Sequence, residues 1–223
     1  MRLLAIDTAL DACSVGVVNG EVTVTRSEIV GRGHAEILMG MVQAAMAEAE
    51  LAFADLDRVA VVVGPGSFTG LRVGIAAARG FALVTGKPAV GIGTLAVHAE
   101  EARATVGAKP VLAVNAAGRG DMYGAIFAAD GSAVVPAMIG SAEIFAAHVT
   151  ADMVLAGSGS DLVLAALPMD HAPRVIHRRA APDIAALCRL ALRAPITGAA
   201  PRPLYLRPPD AKPQSSASRI AHR

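Results

Sequence analysis

The chain has 223 residues, enough for one large domain or two small lobes, and at this length about 70% of the unfolded surface is buried without staples. Hydrophobic residues make up 54% and charged residues 17%, which excludes a disordered chain. The 20 Lys+Arg nearly cancel the 19 Asp+Glu, and aromatics are 3% with no Trp, which argues against a strong basic field or a stacking platform for nucleic acid.

The opening reads as an antiparallel meander. Leu3 to Asp7 is short and apolar, Cys13 to Val18 is β-prone, and Glu21 to Arg26 alternates. Asn19-Gly20 is a hairpin turn signal between the second and third strands. A helix is predicted from His34 to Glu50, with Ile37, Leu38, Met41, Val42 and Ala45 at helical spacing. Val59 to Val63 is a β-branched run that suggests a strand buried on both faces. After the Gly64–Gly66 break a second helix runs from about Thr69 to Val84; Ala89 to Ile92 is a strand and Thr94 to Ala104 a helix. Beyond Lys109-Pro110 the pattern restarts. Strands are predicted at Val111–Val114, Met122–Ala128 and Met153–Ala156, and helices at Ser141–His148 and Ala181–Leu192.

Strands alternating with helices give an α/β fold. Two lobes are expected, 1–108 and a smaller 109–207, with a disordered tail at 208–223 rich in Pro, Ser, Lys and Arg. Cys13 and Cys188 lie far apart with no CxxC pair, as in a reducing compartment. The apolar run after Met1-Arg2 is too short for a signal-peptide core, and no window approaches the ~18 apolar residues of a membrane span. A cytoplasmic protein away from membranes is expected.

One segment stands apart: Gly64-Pro65-Gly66-Ser67-Phe68-Thr69-Gly70-Leu71-Arg72. It joins a buried strand to a helix whose first N–H groups are unpaired, with Ser67 or Thr69 as the N-cap, which suits an anion. It lacks the Lys-Ser/Thr end of a P-loop and the glycine spacing of the dinucleotide fingerprint. The plainer reading is a tight turn that needs small residues for packing. Behind it, Gly70, Gly74 and Ala78 form a smooth strip four residues apart, and Arg72 and Arg79 share a face. Such a helix is either internal or docked on another chain. Met39, Met41 and Met46 on the first helix suit an adaptable surface or a core alike.

That segment resembles the signature of the TsaB (YeaZ) family. So do Leu4-Ala5-Ile6-Asp7-Thr8-Ala9 with Cys13-Ser14-Val15, His34 at the head of the first helix, and Pro203-Leu204-Tyr205-Leu206-Arg207. The resemblance implies an actin-like/Hsp70-like (ASKHA) fold of two related lobes, the second reduced. It implies a non-catalytic scaffold in threonylcarbamoyladenosine modification of tRNA next to the anticodon, for tRNAs reading codons that start with A. A TsaD-like catalytic paralogue would do the chemistry, with a TsaE-like ATPase joining and tRNA held through the complex; homodimers through the same surface are also implied. The partner interface is then placed on Ile37, Leu38, Met41, Val42, Gly70, Arg72, Gly74, Ala78 and Arg79. A phosphate-binding set is placed on Asp7, Thr8, Gly66, Ser67 and Thr69, with ATP or ADP expected only at the partner interface. Asp7 reads either as a magnesium-water ligand or as a turn-capping carboxylate.

Thr94-Leu95-Ala96-Val97-His98 matches the stretch where the catalytic relative carries a His-x-x-x-His metal pair, but Thr94 replaces the first histidine. No other histidine pairs with His98 at ligand spacing, so no bound iron or zinc is expected. At the start of the second lobe, Ala116-Ala117-Gly118-Arg119-Gly120-Asp121-Met122-Tyr123 lacks the first Asp and Arg of the family's pattern. The rival readings are a stand-alone ATP-dependent phosphotransferase or hydrolase and a peptidase. The first needs phosphate loops on both lobes; the second lacks both His-Glu-x-x-His and a nucleophile elbow. Gly157 to Ser160 reads as a flexible turn.

Overall fold

The computed structural model describes residues 1–169 and 173–207; the tail expected to be disordered, 208–223, lies outside them. The meander is formed by β1 (Arg2–Asp7), β2 (Ala12–Asn19) and β3 (Val22–Ile29). Its β2–β3 turn places Gly20 at φ +63°, the left-handed conformation an Asn-Gly hairpin needs. Then follow α1 (His34–Glu48), β4 (Arg58–Gly64), α2 (Phe68–Thr85), β5 (Ala89–Gly93) and α3 (Thr94–Val106). The sheet order is β3-β2-β1-β4-β5, with β1, β4 and β5 parallel. The Val59–Val62 run is buried, as a strand covered on both faces requires.

The second half repeats the plan. Strands β6 (Val111–Gly118), β7 (Asp121–Phe127) and β8 (Ala133–Gly140) form a meander. They lead into α4 (Ala142–Ala146), β9 (Val154–Ala156), α5 (Ser160–Ala165), β10 (Arg174–His177) and α6 (Ile184–Arg193). The order β10-β9-β6-β7-β8 is that of the first sheet read from its other edge, with the same parallel and antiparallel pairs. The repeated sheets define two related lobes of an actin-like fold. The second is reduced, because α4 and α5 have 5 and 6 residues where α1 and α2 have 15 and 18.

Four elements escape the sequence reading: a short 3-10 helix at Phe53–Asp55, β8, α5 and β10. The stretch from Gly157 to Ser160, expected to be flexible, is a fixed corner. Gly157 has φ +109°, and a Cβ there would lie 2.1 Å from the Val114 carbonyl oxygen. Ser160 is buried and its hydroxyl donates to the Gly157 carbonyl at 2.8 Å.

The last helix of each repeat packs on the other repeat's sheet. Leu95, Ala99 and Ala102 of α3 share a core with Val111, Ala113, Ala125 and Val154. Ile184, Leu187, Cys188 and Ala191 of α6 are buried in the first lobe's core. Gly16 lets α6 approach: a Cβ there would meet Cys188 Sγ at 2.5 Å. Strand alternation separates the faces. Ala5 turns toward α6, while Ile6 turns toward α2 at Gly74.

Candidate functional site: the corner before α2, its outer face and the interlobe joint

The glycine-punctuated segment forms the β4–α2 corner. Ser67 caps α2, its hydroxyl accepting from Gly70 N at 3.3 Å, which satisfies one of the otherwise orphan donors of the first turn. Ser67 N donates to the Ala9 carbonyl at 2.7 Å, and the Thr8 hydroxyl donates to the Gly70 carbonyl at 2.7 Å. A Cβ on Gly66 would lie 2.4 Å from Ala9 O, and one on Gly70 would lie 2.0 Å from Thr8 O. The glycines therefore serve close approach of two backbones.

Of the residues read as a phosphate-binding set, Asp7 and Thr8 are buried and engaged by the protein itself. Asp7 accepts from Ala9 N at 2.8 Å. Burial pushes its carboxyl up to about 6, and Asp11 adds to the rise while the Ala9 N–H opposes it. This is the turn-capping alternative for Asp7. Gly66 is pressed against Ala9. Ser67 and Thr69 face a separate 520 Å³ pocket, which they share with Gly31–Glu36 and Val73.

The small-residue strip points the other way from the expectation. Gly70, Gly74 and Ala78 are buried, and a Cβ on Gly74 would meet Thr8 Oγ1 at 2.5 Å and Val61 at 3.4 Å. The strip lets α2 lie close against its own sheet, with Gly70 also at the edge of the Ser67–Thr69 pocket. Leu38, Met41 and Val42 are likewise in the lobe's own core, and Ile37 is partly buried against it. Arg72 and Arg79 hold the C-terminal strap. Arg72 lies 3.7 Å from the Phe68 ring centroid and donates to the Tyr205 hydroxyl at 3.2 Å. Arg79 Nε donates to the Pro201 carbonyl at 2.9 Å.

The opposite face of α2 is the open one. Ala76, Gly80, Leu83 and Val84 are exposed at helical spacing along one stripe, with Val73 and Ala77 beside them partly buried against the core. Leu83 and Val84 are 84% and 86% exposed, and α1 adds Met39 among the exposed large hydrophobics. Against the sequence expectation, α2 is long and apolar enough to cross a membrane, with 28% of it buried, but it is docked along its own sheet through its glycines. A largely exposed apolar helix face on a folded lobe marks a contact surface. The signal was in the sequence: Ala76, Gly80, Leu83 and Val84 are uncharged outward positions of α2, whose two charges, Arg72 and Arg79, are engaged by the C-terminal segment.

The interlobe joint lies on α3. Thr94 is buried and donates to the Pro65 carbonyl at 2.8 Å. One turn on, His98 is buried among second-lobe groups, with Nε2 2.9 Å from the Ala180 carbonyl and Nδ1 3.4 Å from His177 Nε2. Burial and then the neighbouring His177 push His98 down to about 3. Asn115 donates to the same Ala180 carbonyl at 3.0 Å and accepts from Ser158 N at 3.1 Å.

These features define a two-lobe actin-like protein with an exposed apolar helix stripe on its first lobe. Residues 21–155 match the family model described as TsaD, tRNA N6-adenosine threonylcarbamoyltransferase. The chain is 39% identical over 130 residues to the tRNA threonylcarbamoyladenosine biosynthesis protein TsaB of Escherichia coli, a match spanning 58% of this chain and 56% of that protein, little more than half its length. An uncharacterized protein of Mycobacterium tuberculosis is 37% identical over 216 residues, 95% of this chain and 94% of the relative. The solved structure of YeaZ from Pseudomonas aeruginosa superposes with a TM-score of 0.76 at 27% identity, covering 92% of this chain and 99% of that one. The chain belongs to the TsaB (YeaZ) family.

Proposed function

We propose that this protein is a non-catalytic subunit in the biosynthesis of threonylcarbamoyladenosine in tRNA, docking a TsaD-type transferase on the outer face of α2. The observation that carries the reading is the exposed stripe of Ala76, Gly80, Leu83 and Val84, the last two its large apolar members. The name of the Escherichia coli relative supplies the pathway. The TsaD-type partner is inferred from the family resemblance and from relatives of that name. A subunit role also fits the buried state of Asp7 and Thr8, which are spent on the fold. The stand-alone phosphotransferase is disfavoured by the second-lobe corner, where Gly157 closes on the chain's own Val114. A TsaE-type ATPase, tRNA reached through the complex, and ATP or ADP at the partner surface complete the proposal, set in the cytoplasm.

The test is co-purification of the full chain with a TsaD-type paralogue, comparing wild type with Leu83→Glu and Ala76→Glu. The expected result is a 1:1 complex that both substitutions abolish while circular dichroism stays unchanged, since burying an unpaired charge costs several kcal/mol. A complex that survives both changes overturns the assignment of this face. Self-association of the chain that excludes the paralogue, or flotation with vesicles, would reassign the face to a second copy or to a lipid surface.

A further inference from the structure

We propose that His98, Glu101 and His177 form a binding site for one divalent transition-metal ion, zinc foremost, at the joint between the lobes. The three side chains come from α3 and β10, 79 positions apart for the two histidines. One ligand atom from each lies within 4.8 Å of the others. His98 Nδ1 to His177 Nε2 is 3.4 Å, and His177 Nε2 to Glu101 Oε2 is 3.4 Å. A tetrahedral ion with bonds of about 2.0–2.1 Å has ligand-to-ligand edges of about 3.3–3.4 Å. Two imidazoles and one carboxylate with a fourth position open is a common donor set for zinc.

The surroundings engage two of the three donors. His98 Nε2 lies 2.9 Å from the Ala180 carbonyl, which can only accept, and 2.9 Å from Asn115 Nδ2, which can only donate; a proton on Nε2 serves the first contact and a proton on Nδ1 the second. The Nε2–H tautomer leaves the Nδ1 lone pair facing His177, and metal binding would select it. Donation of the outer N–H to a backbone carbonyl is the usual way a ligating histidine is held. Glu101 Oε2 accepts from Asp183 N at 2.8 Å, and Oε1 is held by the Arg179 guanidinium. Two features work against tight binding. His177 Nδ1 has no hydrogen-bond partner among the described residues, and the positive Arg179 leans on the carboxylate. Missing support of this kind costs about 10- to 100-fold in affinity. The affinity expected is therefore micromolar. Sequence reading missed the site because His98 has no histidine at helical spacing; its companion arrives on an edge strand of the other lobe.

The experiment is calorimetric titration of the chelator-treated full chain with Zn²⁺, repeated with Co²⁺ to read coordination from its visible absorption. One ion per chain with an intense tetrahedral cobalt spectrum is expected. His177→Gln and Glu101→Gln should each weaken binding by at least about 100-fold, as loss of a ligand exceeds loss of its support. Arg179→Ala should tighten it, which a purely structural salt bridge would not do. Absence of binding at micromolar protein, or binding indifferent to all three substitutions, overturns the site. Should His177→Gln fail to fold, Glu101→Gln and Arg179→Ala still decide.

Discussion

At the scale of the residue, Asp7 and Gly70 show how the corner before α2 is held. Asp7 is buried at the end of β1, its carboxyl raised from 3.8 to about 6 mainly by burial. A raised carboxyl favours the protonated fold, so its contribution is complete below pH ~4 and lost as pH rises through 6; at 1.36 kcal/mol per unit this is on the order of 3 kcal/mol. Asp7→Asn keeps an oxygen for the Ala9 N–H and carries no charge. It should raise the urea midpoint at pH ~8, with the gain shrinking to near zero at pH ~4. A variant less stable than wild type at the higher pH contradicts this account. Gly70→Ala should cost roughly 3 kcal/mol or more, because its Cβ would press on backbone rather than on a movable side chain. The capping role of Asp7 was one of two readings available in the sequence. What sequence could not tell was which side of α2 Gly70, Gly74 and Ala78 occupy, since small and aliphatic residues occur on both sides of that helix.

At the scale of the element, legibility followed length and periodicity. The helix expected at Ala181–Leu192 is Ile184–Arg193, because its apolar and charged positions separate cleanly onto two faces. By contrast β8 is a sheet-edge strand broken by Pro136, β10 is a four-residue edge strand, and α5 has six residues. None is long enough for a period to emerge, and edge positions tolerate mixed polarity. The α3–α6 contact was equally hidden, because it rests on residues about ninety positions apart. Glu100 accepts from Arg103 Nη2 at 3.2 Å and Arg189 Nε at 3.2 Å, with Arg193 Nη2 at 2.8 Å. Burial alone would raise the Glu100 carboxyl, but Arg193, Arg189 and Arg103 hold it below the usual range. Glu100→Ala should therefore destabilise by about 1–3 kcal/mol, discounted because two of the three arginines are well exposed. Because the shift is downward, the ion-pair contribution is present near neutrality and fades as acid protonates Glu100. Equal urea midpoints for variant and wild type at neutral pH would show the cluster to be decorative.

At the scale of the whole molecule, the exchanged helices make the two repeats interdependent. Internal duplication was visible in the sequence as a restart after Lys109-Pro110, but the exchange was not, since it is a property of packing. A division at residue 108 follows the sheets and cuts across both cores. The first sheet loses α6, whose Ile184, Leu187, Cys188 and Ala191 cover its second face. Arg58 loses the Ala191 and Ala194 carbonyls, which its guanidinium reaches at 2.7 and 2.8 Å. The fragment also uncovers Leu95, Ala99 and Ala102 of α3. At about 1.5–3 kcal/mol for each large apolar side chain re-exposed, the loss matches the whole stability of an ordinary domain, about 5–15 kcal/mol. The fragment 1–108 should thus give no cooperative urea transition and a poorly dispersed amide spectrum, whereas 1–207 unfolds cooperatively. Joining residues 181–207 to the fragment through a flexible linker should restore a transition, because α6 and the strap that Arg72 and Arg79 grip would return together. A cooperative transition in 1–108 alone would mean that the first sheet is stable with one face bare, and the exchange would then be a docking contact between self-sufficient lobes.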